Sequence, residues 1–285
     1  MVIVKLMGGL GNQMFQYAVG RNLSIKNRTK LKLDLSFLNS TTESDNFTKR
    51  EYELDKLNVE GLLADKADLK YFLSKENNLV TKLLNNKKIV IEGGFGYDPT
   101  ILKMRGNIYL EGYWQTEKYF HEIRDVIIRE FKPVKNLSKS ADNYNNILSG
   151  LEKTVSVHIR RGDYVSKSSV TKFHGCLKND YYDKAFSLIE KNLNNPTYIF
   201  FSDDIDWCKK HFSKKNAIFI SGNEPIEDIY LMSVCGHNII ANSSFSWWGA
   251  WLNSNSDKIV IAPSKWFNDT SINTTDLLPH DWLRI

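Results

Sequence analysis

Cysteine and proline are scarce in this 285-residue sequence, which contains three of the former and six of the latter. The cysteines, at positions 176, 208 and 235, form no C-x-x-C pair, and their number is odd. This argues against a disulfide framework or a cysteine-based zinc site, and it favours a reducing compartment. The six histidines form no H-E-x-x-H motif either, so the sequence predicts no metal site built on protein ligands alone.

Long apolar runs are missing too. No run approaches the ~20 apolar residues of a membrane-spanning helix. The first residues enter a strand pattern without the regions of a signal peptide. We therefore expect a cytoplasmic protein. The net charge of +5 fits an anionic ligand. It is also compatible with peripheral binding to the anionic inner face of a membrane. The basic residues form no tight stripe, which argues against a nucleic-acid partner.

What is present favours a folded α/β protein. A chain of 285 residues with 42% hydrophobic residues is long enough for two domains. The opening is a β-α-β unit: a strand at 2–6, a glycine loop, a helix at 14–26 and a strand at 31–35. Helices are then predicted at 65–84 and 117–131 and a strand at 108–113, and the polar segment at 138–146 could close the first domain. From 151 onward, predicted strands at 155–159, 198–201, 217–220, 238–241 and 258–262 alternate with helices at 180–192, 206–212, 224–235 and 245–252. This alternation predicts parallel, doubly wound sheets, and we place the two domains at 1–150 and 151–285.

The motif V-H-I-R-R-G-D-Y, at residues 157–164, stands where a predicted buried strand ends. Ligands of open α/β sheets bind at the carboxyl ends of strands, and arginine offers a planar fork that matches phosphate oxygens. Strand alternation directs His158 and Arg160 to one face and Arg161 to the other. The pattern predicts that Arg160 contacts an anionic ligand, while Arg161 pairs with Asp163 or supports the loop. A surface ion-pair cluster is the alternative.

A second motif, N-S-S-F-S-W-W-G-A-W from residue 242, follows a predicted strand and opens a helix. Ser243 or Ser244 is a suitable N-cap, and the free N–H groups of such a helix can bind an anion. The serines could equally serve only as caps. Trp247, Trp248 and Trp251 are predicted to be core residues.

The glycine loop at 8–13 allows a different interpretation. Gly9-x-Gly11 after a strand, with Asp34 ending the next strand, resembles a dinucleotide-binding fingerprint. Met14 stands where the third small residue belongs, which weakens that pattern. The simpler interpretation is a tight turn that lets a ligand or another domain come close.

Two acidic patterns remain open on physical grounds. Ser202-Asp203-Asp204-x-Asp206 follows a strand, and the Asp204-x-Asp206 spacing occurs in metal-dependent sugar transferases. Capping of the next helix is an equally good interpretation. Asp228 lies in the first turn of a helix, where the dipole favours a carboxylate without further function.

Taken together, the glycine motif G-G-L-G-N-Q-M-F-Q-Y, the H-I-R-R-G-D-Y segment, S-D-D and the N-S-S-F-S-W-W-G-A-W segment resemble the bacterial α-1,2-fucosyltransferases of glycosyltransferase family 11. The resemblance covers nearly the whole chain. It implies a glycosyltransferase-B fold, in which two Rossmann-like domains face a cleft. The first domain would bind the acceptor, and the second would bind GDP-β-L-fucose. The implied reaction is inverting transfer to the 2-hydroxyl of a terminal galactose, without a metal or other cofactor.

The resemblance also implies roles for individual residues. Arg160 would contact the donor diphosphate, and His158 would lie near the nucleoside. Asp228 would contact guanine, and Asn12 would face the reaction centre. The remaining donor-binding residues implied in this way are Gly9, Gly11, Asp203, Ser243, Ser244 and Phe245.

One feature departs from the family pattern. Some relatives carry a glutamate shortly after H-x-R-R, whereas this chain has S-K-S-S at 166–169. Asp163 is the one carboxylate of that segment and is a candidate catalytic group. Because it could instead pair with an arginine, the general base stays unassigned. An NAD(P)-dependent oxidoreductase and a non-catalytic glycan- or nucleotide-sugar-binding protein are the rival classes.

Overall fold

The structure is a computed structural model that describes residues 1–40, 42, 48–74, 87–162, 171–173, 175–213 and 215–285. The chain divides into two compact units. The first comprises Met1–Lys132 and Asn273–Leu277, and the second comprises Pro133–Ile272 and Leu278–Ile285. Within the described ranges, no helix is long and apolar enough to cross a membrane.

The first unit contains a parallel five-stranded sheet in the order β3-β2-β1-β5-β4. Its strands are β1 (Val2–Lys5), β2 (Leu31–Asp34), β3 (Leu62–Leu63), β4 (Lys87–Ile91) and β5 (Asn107–Glu111). Its α-helices in the described ranges are α1 (Leu10–Lys26), α2 (Ser36–Ser40), α3 (Lys66–Leu73) and α4 (Arg124–Glu130). The predicted β-α-β opening is therefore confirmed, and the helix begins at Leu10, four residues earlier than expected.

The second unit contains a parallel six-stranded sheet in the order β11-β10-β9-β6-β7-β8. Its strands are β6 (Thr154–Ile159), β7 (Thr197–Ser202), β8 (Ala217–Phe219), β9 (His237–Ile239), β10 (Val260–Ala262) and β11 (Leu283–Arg284). Its described α-helices are α5 (Lys139–Ser149), α6 (Asn179–Asn192), α7 (Ile205–Phe212), α8 (Pro225–Val234) and α9 (Ser244–Leu252). The predicted strand–helix alternation and the parallel sheets are confirmed.

The border between the units differs from the expected position near residue 150. Helix α5 lies in the second unit, because its buried residues Ala141 and Leu148 pack with Ile199 and Leu231. Its N-cap, Ser138, also donates from its backbone N–H to the Glu227 carboxylate of α8, at 2.6 Å. The polar composition of this helix reflects its solvent-facing side and does not mark the end of the first unit.

The first unit differs from the prediction in two places. The helix expected at 117–131 consists of two 3-10 turns, Glu117–Tyr119 and His121–Ile123, followed by the shorter α4. Strand β4 was not predicted. It is an edge strand whose residues Ile89 and Ile91 are exposed, so its sequence lacks the pattern of a strand with one buried face.

The core of the second unit confirms the assignment of the tryptophans. Trp247, Trp248 and Trp251 are each no more than 2% exposed. They pack against one another in edge-to-face and stacked pairs with centroid distances of 5.0 to 6.0 Å. This packing fixes helix α9 against the sheet and so fixes the position of the Ser243 turn at its start.

Candidate functional site

The carboxyl end of β6 carries His158 and, one residue beyond the strand, Arg160. Both lie close to Asp203, which follows β7, the neighbouring parallel strand. Arg160 Nη1 is 2.9 Å from Asp203 Oδ2. The other carboxylate oxygen of Asp203 accepts the backbone N–H of Arg161 at 2.8 Å. Asp203 therefore fixes the loop after β6 and the direction of the Arg160 side chain.

Arg161 has a different role. Its Nε donates to Asp204 Oδ2 at 3.0 Å, and its guanidinium carbon lies 4.1 Å from the centroid of the Trp207 ring. Strand alternation thus separated the two arginines as predicted, and the partner of Arg161 is Asp204. Asp163, the other expected partner, lies outside the described residues. Trp207 was missed, since nothing in the sequence of a short helix signals that its aromatic ring supports an arginine.

His158 is 4% exposed, and its ring is 5.5 Å from that of Phe245, centroid to centroid. Burial, with a contribution from the charge of Arg160, lowers the pKa of His158 to about 3. The imidazole is therefore neutral at physiological pH. Its Nδ1 is buried and has no hydrogen-bond partner among the described residues. A buried ring nitrogen without a partner is unusual in a folded protein, and it is the type of atom that a ligand satisfies.

The turn before α9 lies beside His158 through Phe245. Ser243 is the N-cap of α9, and its Oγ accepts the N–H of Phe245 at 3.4 Å. Ser244 is the first residue of the helix, and both serines are half-buried. Capping by Ser243 is therefore established, and it leaves the dipole end of a nine-residue helix directed at this part of the site.

Asp228 lies in the first turn of α8, and its Oδ1 accepts a hydrogen bond from Asn223 Nδ2 at 3.0 Å. Burial raises the pKa of this carboxyl to about 6. Asn223 Oδ1 is itself buried and has no partner in the described part of the chain. Asp228 and Asn223 thus form a small polar pair of their own, and the described contacts do not join it to His158 or Arg160.

The acidic residues after β7 are already engaged. Asp204 caps α7 by accepting the N–H of Trp207, and it also pairs with Arg161. Asp206 pairs with Lys209 and is 88% exposed at its side chain. In the ranges that the structure describes, no group of three His, Cys, Asp or Glu side chains could hold a metal ion. Metal independence itself stays a prediction.

In the first unit, the glycine loop after β1 is filled by protein groups. The N–H of Leu10, at the start of α1, donates to Glu53 Oε2 at 3.0 Å. Gln13 Nε2 donates to the carbonyl oxygens of Gly8 and Glu51 at 2.9 and 2.7 Å. A helix start that already holds a carboxylate is a poor site for a dinucleotide pyrophosphate.

The surroundings of Asp34 also speak against dinucleotide binding. It is fully buried, and its carboxylate accepts hydrogen bonds from Ser36 and from the hydroxyl of Tyr109. In a dinucleotide-binding protein this carboxylate would have to reach a ribose. The two features on which the oxidoreductase interpretation depended are therefore both engaged within the protein.

Glycine roles in the loop differ from expectation. Gly8, with φ +75°, adopts the left-handed conformation, and a Cβ there would lie 2.5 Å from Asn12 Nδ2. Gly9 has an ordinary φ of −79°, and the nearest atoms to a Cβ there belong to Arg50 at 3.8 Å. Gly11 is buried within the first turn of α1. The glycine required by the backbone is thus Gly8, whereas the sequence interpretation emphasised Gly9 and Gly11.

Asn12 is half-buried at the start of α1, and its Oδ1 accepts a hydrogen bond from Gln115 Nε2 at 2.8 Å. Gln115 follows β5, so this bond joins the loops after two adjacent strands. The structure therefore places Asn12 at the carboxyl edge of the first sheet, where a ligand of an α/β unit is expected.

The fold of the chain is shared with solved enzymes. Arabidopsis thaliana FUT1 in complex with GDP superposes with a TM-score of 0.52, at 10% identity, over 99% of this chain and 75% of that one. At this level of identity the likeness is one of fold alone.

The sequence comparison is more specific. The model of Glycosyl transferase family 11 matches residues 1–285, and the chain therefore belongs to glycosyltransferase family 11. An α-1,2-colitosyltransferase of Escherichia coli is 37% identical over 100% of this chain and 98% of the relative. The O-antigen biosynthesis glycosyltransferase WbnK of the same organism is 34% identical over 98% and 99%. A galactoside 2-α-L-fucosyltransferase, SEC1 of Bos taurus, is 28% identical over 51% of this chain and 42% of the relative.

Proposed function

We propose that the chain transfers L-fucose from GDP-β-L-fucose to the 2-hydroxyl of a terminal galactose, with inversion at C1 of the sugar. The observation that carries this proposal is the arrangement at the carboxyl edge of the second sheet. There, Arg160, the unpartnered Nδ1 of the buried His158 and the start of α9 lie together. A cation and a helix N-terminus suit a diphosphate, and an imidazole nitrogen suits a polar nucleoside or sugar group.

The chemistry explains why these groups are needed. As the acceptor oxygen attacks C1, the C1–O bond to the diphosphate breaks, and negative charge grows on the departing GDP. Arg160 and the N–H groups at the start of α9 stabilise that charge in the transition state more than in the ground state. His158 is neutral because of its burial, so it contributes a hydrogen bond and not a charge.

Asp203 acts as a positioning residue in this proposal. Both of its oxygens are engaged, one with Arg160 and one with the N–H of Arg161. A carboxylate in direct contact with a diphosphate would repel it, whereas a carboxylate behind the arginine holds the guanidinium in a single orientation. We therefore propose that Asp203 orients Arg160 and does not itself contact the donor.

Asp228, with its Asn223 partner, is the proposed guanine contact. The N1–H and N2–H groups of guanine are donors, and an ionised carboxylate accepts both. Support comes from the half-buried position of Asp228 and from the unpartnered Asn223 Oδ1 beside it. Asn12 and the first unit are assigned to the acceptor side.

The donor sugar has a second candidate. The bacterial relative that is 37% identical over the whole chain is named for α-1,2 transfer of colitose, and the mammalian relative is named for α-1,2 transfer of fucose. The α-1,2 linkage is common to both names. We propose fucose as the donor sugar, because the motifs of the chain resemble those of the fucosyltransferases, and keep colitose as the alternative.

A donor and acceptor panel tests the proposal. The purified protein is incubated with GDP-fucose, with the corresponding colitose donor and with GDP-mannose, against lactose and type 1 and type 2 galactosides. We expect GDP-fucose to give turnover and a product whose NMR spectrum shows an α-1,2 linkage. Faster transfer of colitose would replace the donor, and no turnover with any glycosyl donor would favour a non-catalytic binding protein.

The same assay tests metal independence. With excess EDTA, we expect turnover to stay within about twofold of the untreated enzyme, because arginine and helix N–H groups supply the positive charge. Loss of activity in EDTA, restored by Mn²⁺, would contradict this part of the proposal and direct attention to Asp204 and Asp206.

A further inference from the structure

Transfer to a hydroxyl group releases a proton, and the carboxylates discussed so far are engaged elsewhere. Asp203 and Asp204 hold the two arginines of the second unit. Asp34 of the first unit is buried against Ser36 and Tyr109. A base for the reaction should be a carboxylate at the edge of a sheet that is not neutralised by a cation.

Glu92 has these properties. It follows β4 directly, and its backbone N–H continues the ladder to Glu111 of β5 at 2.8 Å. It therefore lies at the carboxyl edge of the first sheet, as Asn12 does. Its side chain folds over the turn after β5, and a Cβ at Gly112 would overlap the Glu92 side chain. The glycine at 112 is what permits this close approach.

The carboxylate of Glu92 is held by backbone groups alone among the described residues. Oε2 accepts the N–H of Tyr113 at 2.6 Å, and Oε1 accepts the N–H of Trp114 at 2.9 Å. A carboxylate oxygen has two lone pairs, so each oxygen keeps one for another donor. No described lysine or arginine forms an ion pair with Glu92, in contrast to Glu111, which pairs with Lys5 at 2.7 Å.

The surroundings of Glu92 are aromatic and partly dry. Among the described residues, the ionisable groups that face it are the phenols of Tyr113 and Tyr119. Phenols are neutral at physiological pH, and burial raises the pKa values of these two further. Burial also raises the pKa of Glu92 itself, against the opposing effect of the two backbone N–H groups. A half-buried carboxylate with a raised pKa is a stronger base than an exposed one.

The turn that holds Glu92 is strained and is connected to Asn12. Trp114 has φ +56°, in the left-handed region that bulky residues rarely adopt, and it is 1% exposed. Its Nε1 is buried without a partner in the described part of the chain. The next residue, Gln115, donates to Asn12 Oδ1. Backbone strain of this kind persists where the surrounding structure requires it, and it is concentrated at functional sites.

We propose that Glu92 is the catalytic base that accepts the proton of the acceptor hydroxyl, and that the turn at residues 112–115 orients its carboxylate. The inference rests on the proposed function. In the step, the acceptor oxygen forms a bond to C1 of the donor sugar, and the bond from C1 to the diphosphate oxygen breaks. The electron pair of that bond leaves with GDP, and the acceptor proton moves to a Glu92 oxygen and is later released to water.

The test compares Glu92→Gln with Glu111→Gln, which removes a carboxylate at the same sheet edge. With GDP-fucose and the galactoside that the wild type uses best, we expect Glu92→Gln to lower kcat by ~10²–10⁴. The Kd of GDP-fucose, measured by calorimetry, should stay within about twofold. At saturating GDP-fucose, protonation of Asp228 does not limit the rate, and the wild-type kcat/KM for the acceptor should rise with pH as Glu92 loses its proton. This acidic limb should be absent in Glu92→Gln. Glu111→Gln should keep both the rate and the limb.

A folded Glu92→Gln protein with near-wild-type kcat and an unchanged acidic limb would overturn the proposal. Glu92→Asp provides a second test if the glutamine variant does not fold. It keeps an ionisable group but withdraws it by one methylene, so kcat should fall at least tenfold while the acidic limb remains. Full activity of Glu92→Asp would contradict a direct proton transfer. Absence of transfer by the wild type with every donor would instead refute the proposed function itself.

Discussion

The two units contain the same local arrangement, a buried strand, a loop and a helix start, but they complete it differently. In the first unit the start of α1 is occupied by the carboxylate of Glu53. The side-chain amide of Gln13 donates to the carbonyl oxygens of Gly8 and Glu51 and accepts the N–H of Glu53. In the second unit the start of α9 has only its own serine cap among the described contacts, and beside it His158 has a buried nitrogen without a described partner.

The two units thus contrast a helix start that the chain itself occupies with one that we propose as a ligand site. A helix start attracts negative charge wherever it occurs. When the chain supplies the carboxylate itself, as Glu53 does, that carboxylate occupies the helix start, and the binding of a ligand anion there is no longer favoured. In the second unit the chain places a guanidinium, Arg160, in this region, held in one orientation by Asp203. In the proposed site, this guanidinium and the N–H groups at the start of α9 bind the diphosphate together.

The largest effect expected from this comparison separates the two arginines of the second unit. Arg160→Ala should lower kcat by ~10²–10³, because it removes a charge that stabilises the departing diphosphate. Arg161→Ala serves as the comparison, since Arg161 is engaged with Asp204 and Trp207. We expect it to lower kcat less than tenfold and to act mainly on stability. Steady-state kinetics and urea unfolding measure the two effects, and equal losses of kcat would contradict the division of roles.

An intermediate effect concerns the glycine loop of the first unit. Gly8→Ala should destabilise the protein by ~1–3 kcal/mol, because it places a side chain on a left-handed backbone and against Asn12. Gly9→Ala is the matched control, with an ordinary φ and no atom closer than 3.8 Å to the added Cβ. Urea denaturation should show a change of less than ~0.5 kcal/mol for this control. A reversed order would show that the tight position has been misassigned.

The smallest expected effect is the pH dependence of donor binding. Burial raises the pKa of Asp228 to about 6, and the proposed contact with guanine requires the ionised carboxylate. Affinity for GDP-fucose should therefore be constant above pH 7 and fall by about tenfold near pH 5, one unit below that pKa. Asp228→Asn should remove the pH dependence, whereas Asp206→Asn should retain it, since Asp206 is exposed and paired with Lys209. Calorimetric titration with GDP-fucose across this pH range measures the affinity of the wild type and of both variants.

Much of the second unit was predictable because strands β6 and β7 are buried and helices α6 and α7 are amphipathic. The observed β6, β7, α6, α7 and α9 differ from the predicted ranges by a single residue at most at each end. Strand alternation alone separated Arg160 from Arg161. The apolar runs of β6 and β7 are clear because both faces of a parallel sheet are covered.

Less of the first unit was predictable, and the reasons are physical. Strand β4 is an edge strand with exposed apolar residues, so no alternation marks it. Glu92 follows that strand, and its role depends on a turn held by Trp114 in a left-handed conformation. The filling of the glycine loop by Glu53 joins residues 43 positions apart. Contacts over such distances leave no local pattern in a sequence.

The central claim is that Arg160 serves the diphosphate of the donor and not its nucleoside. Calorimetric titration of the wild type and of Arg160→Ala, each with GDP and with guanosine, tests this most directly. We expect the substitution to weaken GDP binding by at least tenfold and to leave the affinity for guanosine within about twofold. Equal weakening for both ligands, or no change for GDP, would contradict it.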